Sequence, residues 1–316
     1  MSASGKVESA RKMAIDLLAG PRWRSGGGQE VLARKLLPQL RDLREFDLLT
    51  QLSERVARSH PHDPLIRRLQ TQGLIETGHT TAAIEVARSG LKGLADSHGE
   101  WSELNGLIGR AYKQIVMDAA EPRDPDSRAA LRESLKAYAK PYRKDTNNTW
   151  HAINLAAVSS FAKRVGIKSP ANLGARELAG AVIQTIETKP ENIRDHWDAA
   201  TLAEAYLALS DLAEVERHLK TYLADARVSA FDVGSTLRQF SQVWGLKDAK
   251  DARERGILQA LGARLLQLPG ADIGLSPQSG VQSKQLASHC APPRGWNVVA
   301  DQRQARNPSG QRRDCS

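Results

Sequence analysis

The sequence has few cysteines and few aromatic residues, and each scarcity excludes a class of structure. The two cysteines, Cys290 and Cys315, both lie near the C-terminus, so they provide neither a disulfide framework nor the Cys/His spacing of a zinc site. Aromatic residues make up 5% of the chain, and the Val-Ile-Thr-Tyr runs with a period of two that mark strands are nearly absent. We therefore expect a fold held together by helix packing, with no metal ion and no cofactor.

Long apolar runs are also missing. No window approaches the roughly 20 continuous apolar residues that a membrane-spanning helix needs. The N-terminal segment has too short an apolar run, and no small-residue cleavage site after it, for a secretory signal. These absences predict a cytoplasmic protein without a membrane partner.

Acidic residues are outnumbered by basic ones. The formal net charge is +9 and the sequence pI is about 9.7. Most of the excess lies at the two ends of the chain, in residues 1–60 and 268–316, whereas nucleic-acid-binding proteins usually gather it into a stripe or cluster. A solvated basic surface is therefore favoured over nucleic-acid binding, and an RNA-binding helical repeat is kept as an alternative.

Helix-forming residues dominate what is present. Ala, Leu and Arg are abundant, and they lose little free energy on entering a helix. Residues 1–28 are predicted to form an N-terminal helix and a flexible loop. The glycines at 26–28 lack the Gly-Lys-Ser/Thr sequence of a phosphate-binding loop, so they are interpreted as a linker.

From Gln29 onward the apolar spacing predicts a helix that is almost unbroken until the sequence His60-Pro61-His62-Asp63-Pro64. Two prolines this close end a helix. His60 and His62 are interpreted as part of this cap and turn rather than as a metal-binding pair.

Paired helices follow. Residues 65–91, LIRRLQTQGLIETGHTTAAIEVARSGL, predict a helix, a tight turn at Gly78-His79 and a second helix in which small Ala83 permits a close crossing. This order resembles the 34-residue tetratricopeptide helix-turn-helix unit. Four similar pairs begin at WSELNGLIGRAYKQI, NTWHAINLAAVSSFAKR, WDAATLAEAYLALS and VSAFDVGSTLRQFSQVWGL.

A single helix pair cannot bury its apolar face alone, so neighbouring pairs must stack. We therefore predict an all-α fold, an α-solenoid of tetratricopeptide-like helix-turn-helix pairs over residues 29–268. Residues 269–316 are rich in Ser, Gln, Pro, Gly and Arg and have almost no periodic apolar face, which predicts a disordered C-terminal tail.

One cluster of side chains could take part in catalysis or in ligand binding. Trp150, His151 and Asn154 open the stretch at 148–164, and His151 and Asn154 share a helix face at a spacing of three. Such a cluster could orient a nucleophile or bind a ligand, or it could be the packed start of a helix. No Ser, Cys or carboxylate is tied to His151 by a sequence motif, so the packing interpretation is favoured and the chain is not expected to be an enzyme.

Several stretches taken together carry a family resemblance. GLIGRAYKQ, NTWHAINLAAV, HWDAATLAEAYLAL and STLRQFSQVWGL resemble the tetratricopeptide-type region that precedes trypsin-like serine peptidase domains in some bacterial proteins. That region is similar to the TRAF-binding helical segment of apoptosis signal-regulating kinases. The resemblance covers residues 30–268 and implies a regulatory, protein-binding module. The Gly-Asp-Ser-Gly-Gly nucleophile turn of such peptidases is absent, so we hypothesise a truncated or frameshifted relative that keeps the helical module.

The leading function from sequence is a non-catalytic protein–protein interaction scaffold or regulatory module. Its concave surface would hold a peptide or a helix of a protein partner. The candidate groove residues lie on the first helix of each pair: Asn105, Arg110, Asn154, Glu204 and Arg238. The alternatives are the regulatory N-terminal part of a trypsin-like serine peptidase and the RNA-binding repeat.

Overall fold

The structure, a computed structural model, describes residues 3–21, 23, 26–167 and 174–271. Within these ranges the chain contains helices and connecting segments and no strand, which confirms the all-α prediction. The α-helices are α1 (Ala3–Ala19), α2 (Gly28–Asp42), α3 (Phe46–Ser59), α4 (Pro64–Glu76), α5 (Thr80–Leu91), α6 (Gly99–Asp118), α7 (Pro125–Lys144), α8 (Thr149–Arg164), α9 (Ala175–Glu187), α10 (His196–Leu209), α11 (Leu212–Ala224), α12 (Ala230–Arg238) and α13 (Ala252–Gln267).

Capping side chains explain where many of these helices begin. Asp63, Asp124 and Asp211 precede α4, α7 and α11, and each accepts a hydrogen bond from a backbone N–H in the first turn. Asp195 and Ser229 take part in capping boxes ahead of α10 and α12. Local sequence therefore sets the helix starts, and tertiary packing joins the helices.

Consecutive helices pack as pairs in the order α2/α3, α4/α5, α6/α7, α8/α9, α10/α11 and α12/α13, and each pair packs on the next. The N-terminal helix α1 joins the same stack, because Ala10, Ala14 and Leu17 are buried in one cluster with the apolar faces of α2 and α3. The result is the predicted solenoid of stacked helix pairs.

The prediction of one nearly unbroken helix from Gln29 was wrong. The chain turns between α2 and α3, where Arg44 adopts a left-handed conformation with φ of 60°. The two helices fold back on each other and bury Leu40 and Leu49 in a shared cluster. Because Leu43-Arg44-Glu45 contains neither glycine nor proline, the apolar periodicity continues across the turn and hides it.

Two glycines of α6 allow close helix contacts in the middle of the stack. A Cβ on Gly106 would lie 2.1 Å from the Trp150 ring of α8, and a Cβ on Gly109 would lie 2.8 Å from the Tyr138 ring of α7. Real side chains essentially never approach so closely, so both positions need glycine. These contacts fix how α6, α7 and α8 cross.

The stack curves until its last pair returns to its first helices. Phe231, near the start of α12, meets Phe46 of α3 edge-on with ring centroids 6.3 Å apart. The guanidinium of Arg41 in α2 lies over the Phe231 ring, 5.5 Å from its centroid. The solenoid therefore closes on itself, and the first helices of its pairs face a common centre.

Among the described residues, no helix is long and apolar enough to cross a membrane. From position 272 onward the predicted tail lies outside the described residues, so its disorder stays a prediction, as do the domain boundaries at 28 and 268.

Candidate functional site

Polar side chains from the first helices of five pairs meet at the centre of the closed stack. We call this set the inner network. Its members are Glu76 of α4, Arg110 and Lys113 of α6, Asn154 of α8, Glu204 of α10, and Arg238, Gln239 and Trp244 at and beyond the end of α12.

Glu76 is the hub of one half of the inner network. Its carboxylate accepts a hydrogen bond from Arg110 and two from Arg238, the latter at 2.9 and 3.1 Å. The Glu76 side chain is only 2% exposed, so these charge-assisted bonds are made away from water. Burial alone would raise the pKa of the Glu76 carboxyl, but Arg110 and Arg238 outweigh it and hold that pKa below its ordinary value. Glu76 is therefore a carboxylate that ties α4 to both α6 and α12.

Gln239 is the hub of the other half. Its side-chain nitrogen donates to Glu204 at 2.7 Å, and its side-chain oxygen accepts from the Lys113 ammonium at 2.6 Å. Lys113 also donates to the Asn154 side-chain oxygen at 3.0 Å. The indole N–H of Trp244 donates to the same Glu204 oxygen at 2.7 Å. These bonds join α6, α8 and α10 to the residues that follow α12.

Burial shifts the pKa values of two ionisable groups in this half of the inner network. It lowers the pKa of Lys113 to about 7; Glu204 opposes that shift, whereas Arg110 and Arg238 reinforce it. Burial also raises the pKa of the Glu204 carboxyl above its ordinary value. Both shifts favour the uncharged form, which is the usual response of an ionisable group withdrawn from water.

The element that fills the centre is residues 230–244, which we call the closing segment. It consists of α12, a π-helical turn at Gln239–Val243 and Trp244. Arg110 lies over its Phe231 ring, 5.7 Å from the centroid, and Arg164 of α8 donates to the Val243 carbonyl. π-helical turns are rare and occur frequently at functional sites. Here the turn precedes the indole that reaches Glu204.

A family model of known proteins matches part of the chain. Residues 45–159, which span α3 to most of α8, match a family model described as Tetratricopeptide Repeats-Sensor. The helix pairs within this segment are tetratricopeptide-like. No curated protein matches the chain.

Two solved structures of low sequence identity are also similar. A thermophilic tetratricopeptide repeat protein of Thermus thermophilus is 17% identical, with 73% of this chain and 98% of that chain covered and a TM-score of 0.46. The MamA protein is 16% identical, with coverage of 61% and 90% and a TM-score of 0.34.

Four of the five groove residues predicted from the sequence belong to the inner network: Arg110, Asn154, Glu204 and Arg238. We predicted that they line a concave groove that holds a peptide or a partner helix. In the structure the closing segment, which includes Arg238, lies against this surface, and Asn154 and Glu204, each 8% exposed, face it. Asn105 lies apart: it is 4% exposed and donates to the Trp101 carbonyl within α6. Contact of these residues with a partner stays a prediction.

Sequence reasoning missed Glu76, Lys113 and Gln239. Lys113 lies three residues from Arg110 on α6, a spacing that puts both on one helix face, and this signal could have found it. Glu76 could not be found, because its partner Arg238 is 162 residues away. No local tetratricopeptide pattern encodes such a pairing.

His151 is part of the packed helix start. It is fully buried between the Trp150 ring, 4.7 Å away, and the Tyr138 ring, 6.1 Å away, measured between ring centroids. Its Nε2 lies 2.8 Å from the Ser102 hydroxyl, while its Nδ1 has no hydrogen-bond partner among the described residues. Burial lowers the pKa of His151 to about 4, so the ring is neutral near pH 7. Asn148 accepts from the His151 backbone N–H and caps α8.

Proposed function

We propose that this chain is a protein-interaction module of the tetratricopeptide type, whose partner surface is the inner face of α4, α6, α8 and α10. The observation that carries the proposal is that this face already accommodates a helix, the closing segment. The side-chain oxygens of Glu76, Asn154 and Glu204 accept hydrogen bonds from it. A surface that satisfies the polar groups of one helix can satisfy those of another, because helix-in-groove recognition uses the same bonds.

The arrangement around His151 supports a non-catalytic role for that residue. A serine nucleophile needs a histidine that is itself oriented by a third group, commonly a carboxylate on its other ring nitrogen. Here Ser102 contacts Nε2, and the Nδ1 atom has no such partner within the described part of the chain. We therefore assign the Ser102–His151 contact to helix packing between α6 and α8.

Affinity capture with the full-length chain tests the proposal. A genuine partner is expected to bind with one-to-one stoichiometry in calorimetry, and Asn154→Ala is expected to weaken it at least tenfold because the inner face loses an amide. Arg217→Ala is the matched control, because that side chain is 58% exposed on α11 and pairs locally with Glu214. A monodisperse chain that recovers no protein, or a partner whose affinity is unaffected by Asn154→Ala, contradicts the proposal.

The narrower expectations stay predictions: association with a trypsin-like peptidase domain, a cytoplasmic location, and RNA binding as the alternative. RNA binding has a distinct signature, since the affinity would fall steeply with salt as phosphate contacts release counterions. Binding that does not change between low and physiological salt contradicts it.

A further inference from the structure

We propose that the closing segment is an autoinhibitory latch, which occupies the partner surface until a competing helix displaces it. This inference rests on the proposed function and adds its regulation. In a continuing tetratricopeptide array, the first helix of a pair packs on its neighbouring pairs alone. The closing segment instead reaches α4 through Arg238, α6 and α8 through Gln239, and α3 through Phe231.

Most apolar side chains of the closing segment pack against the last two helix pairs, whereas its polar side chains face the inner network. Val233 and Phe240 are buried in the cluster formed by α10, α11 and α13. By contrast, Arg238 and Gln239 project toward the inner network and are only partly buried. Most of the core of the last helix pair therefore stays intact when its polar contacts with α4, α6 and α8 separate. Val243, which is buried in the cluster of α7, α8 and α9, is the apolar contact that release must also break.

These polar contacts can pass from the closing segment to a competing helix. A hydrogen bond inside a protein contributes little net stability but leaves an expensive unpaired group when only one partner is removed. Glu76 keeps the hydrogen bond from Arg110 of α6 when the latch leaves. The Glu204 oxygen accepts from Gln239 and Trp244 of the latch, so it needs donors from a partner in their place. A competing helix that supplies equivalent donors takes over the bonds without leaving a buried polar group unpaired.

The same argument defines the partner chemistry. The latch presents a guanidinium to Glu76, a carboxamide to Glu204 and Lys113, and an indole N–H to Glu204, from the sequence RQFSQVW at 238–244. A fitting partner is a helix with a basic residue, an adjacent amide and, one to two turns later, an aromatic donor. It is a protein helix rich in hydrogen-bond donors, since the surface offers the side-chain oxygens of Glu76, Asn154 and Glu204 as acceptors.

The experiment compares three full-length proteins: the unmodified chain, Arg238→Ala/Gln239→Ala, and the exposed control Arg217→Ala. The probe is a fluorescein-labelled synthetic peptide with the sequence of residues 229–245. We expect amide hydrogen exchange at least tenfold faster in the closing segment and around Glu76 of the double variant, with other helices unchanged. We also expect the peptide to bind the double variant at least tenfold more tightly than the other two proteins in fluorescence anisotropy.

Peptide affinity that is equal for all three proteins, or absent for all, overturns the latch, as does unchanged exchange in the double variant. If the double variant loses its fold, Trp244→Phe serves instead, because it removes one of the two donors to Glu204 and keeps an aromatic ring. A protein partner that binds the unmodified chain and the double variant equally overturns the latch while leaving the interaction function in place. If no partner binds either, the interaction function fails, whatever the peptide does.

Discussion

His151 illustrates how a buried packing residue can resemble a catalytic residue in the sequence. The sequence places it beside Trp150 and near Asn154, a combination that permits either catalysis or packing. The structure gives it a buried site between two aromatic rings and a single hydroxyl contact. Sequence could predict the helix and its cap, since those are local, but the Ser102 contact comes from a different helix pair.

Stability should depend on pH through His151. Its pKa is about 4 in the folded chain, against about 6.5 when unfolded. The folded chain therefore binds fewer protons between these values, and the free energy of unfolding should rise by roughly 3 kcal/mol as the pH increases from 4 to 6.5. His151→Gln should flatten that rise. Urea unfolding at several pH values measures it, and an equal slope in both proteins would contradict the assignment.

Gly106 should tolerate no side chain. Gly106→Ala would place its Cβ 2.1 Å from the Trp150 ring, and overpacking of this kind destabilises by about 1–3 kcal/mol or more. The control is Gly180→Ala in α9, where a Cβ meets nothing within 4 Å and should stabilise by about 0.5–1 kcal/mol through helix propensity. Thermal unfolding of the two variants should therefore shift in opposite directions, and a shared direction would count against the close α6–α8 contact.

At the scale of the element, local sequence predicts some helix ends and not others. Gly78, with φ of 82°, turns the chain between α4 and α5 as expected from its residue type. The turn at Arg44 and the left-handed cap at Ser210 use residues that disfavour that conformation. Packing between the flanking helices compensates for the unfavourable backbone conformation of these two residues. Because the α2/α3 turn therefore needs no glycine, the sequence did not predict it.

Ser210→Gly should stabilise the chain. Ser210 caps α10 in the left-handed region with φ of 65°, where glycine is favoured by about 1 kcal/mol. Thr188→Gly is the matched control, because Thr188 caps α9 with an ordinary φ of −74° and should gain nothing. Denaturant unfolding measures both changes. Stabilisation of the two variants by the same amount would show that the cap conformation is not the cause.

At the scale of the whole molecule, the repeat class was predictable and the closure was not. Stacking follows from apolar faces that recur in each pair, and the sequence displays them. Closure depends on the accumulated curvature of the stack, which brings Arg238 to Glu76 across 162 residues. The sequence therefore pointed to Arg110, Asn154 and Glu204 on the inner face, but it did not predict that the closing segment lies against them.

Loss of the Glu76 charge should weaken the whole stack. Glu76→Gln leaves Arg110 and Arg238 without their shared carboxylate, and breaking a buried ion pair on one side costs about 3–5 kcal/mol. Glu85→Gln is the control: that side chain is 66% exposed and pairs with Arg88 on the same helix, so its effect should stay below about 1 kcal/mol. Comparable losses in both variants would argue against a central role for Glu76.

The meeting of α12 with α2 and α3 has a consequence for how this protein can evolve. Open tetratricopeptide arrays lengthen by duplicating a unit, since each unit needs only its neighbours. Here a duplicated unit would carry Phe231 away from Phe46 and Arg238 away from Glu76, now joined at 6.3 and 2.9 Å. These contacts consequently fix the number of units. Descendants of this chain should vary in their loops and surfaces before they vary in their number of repeats.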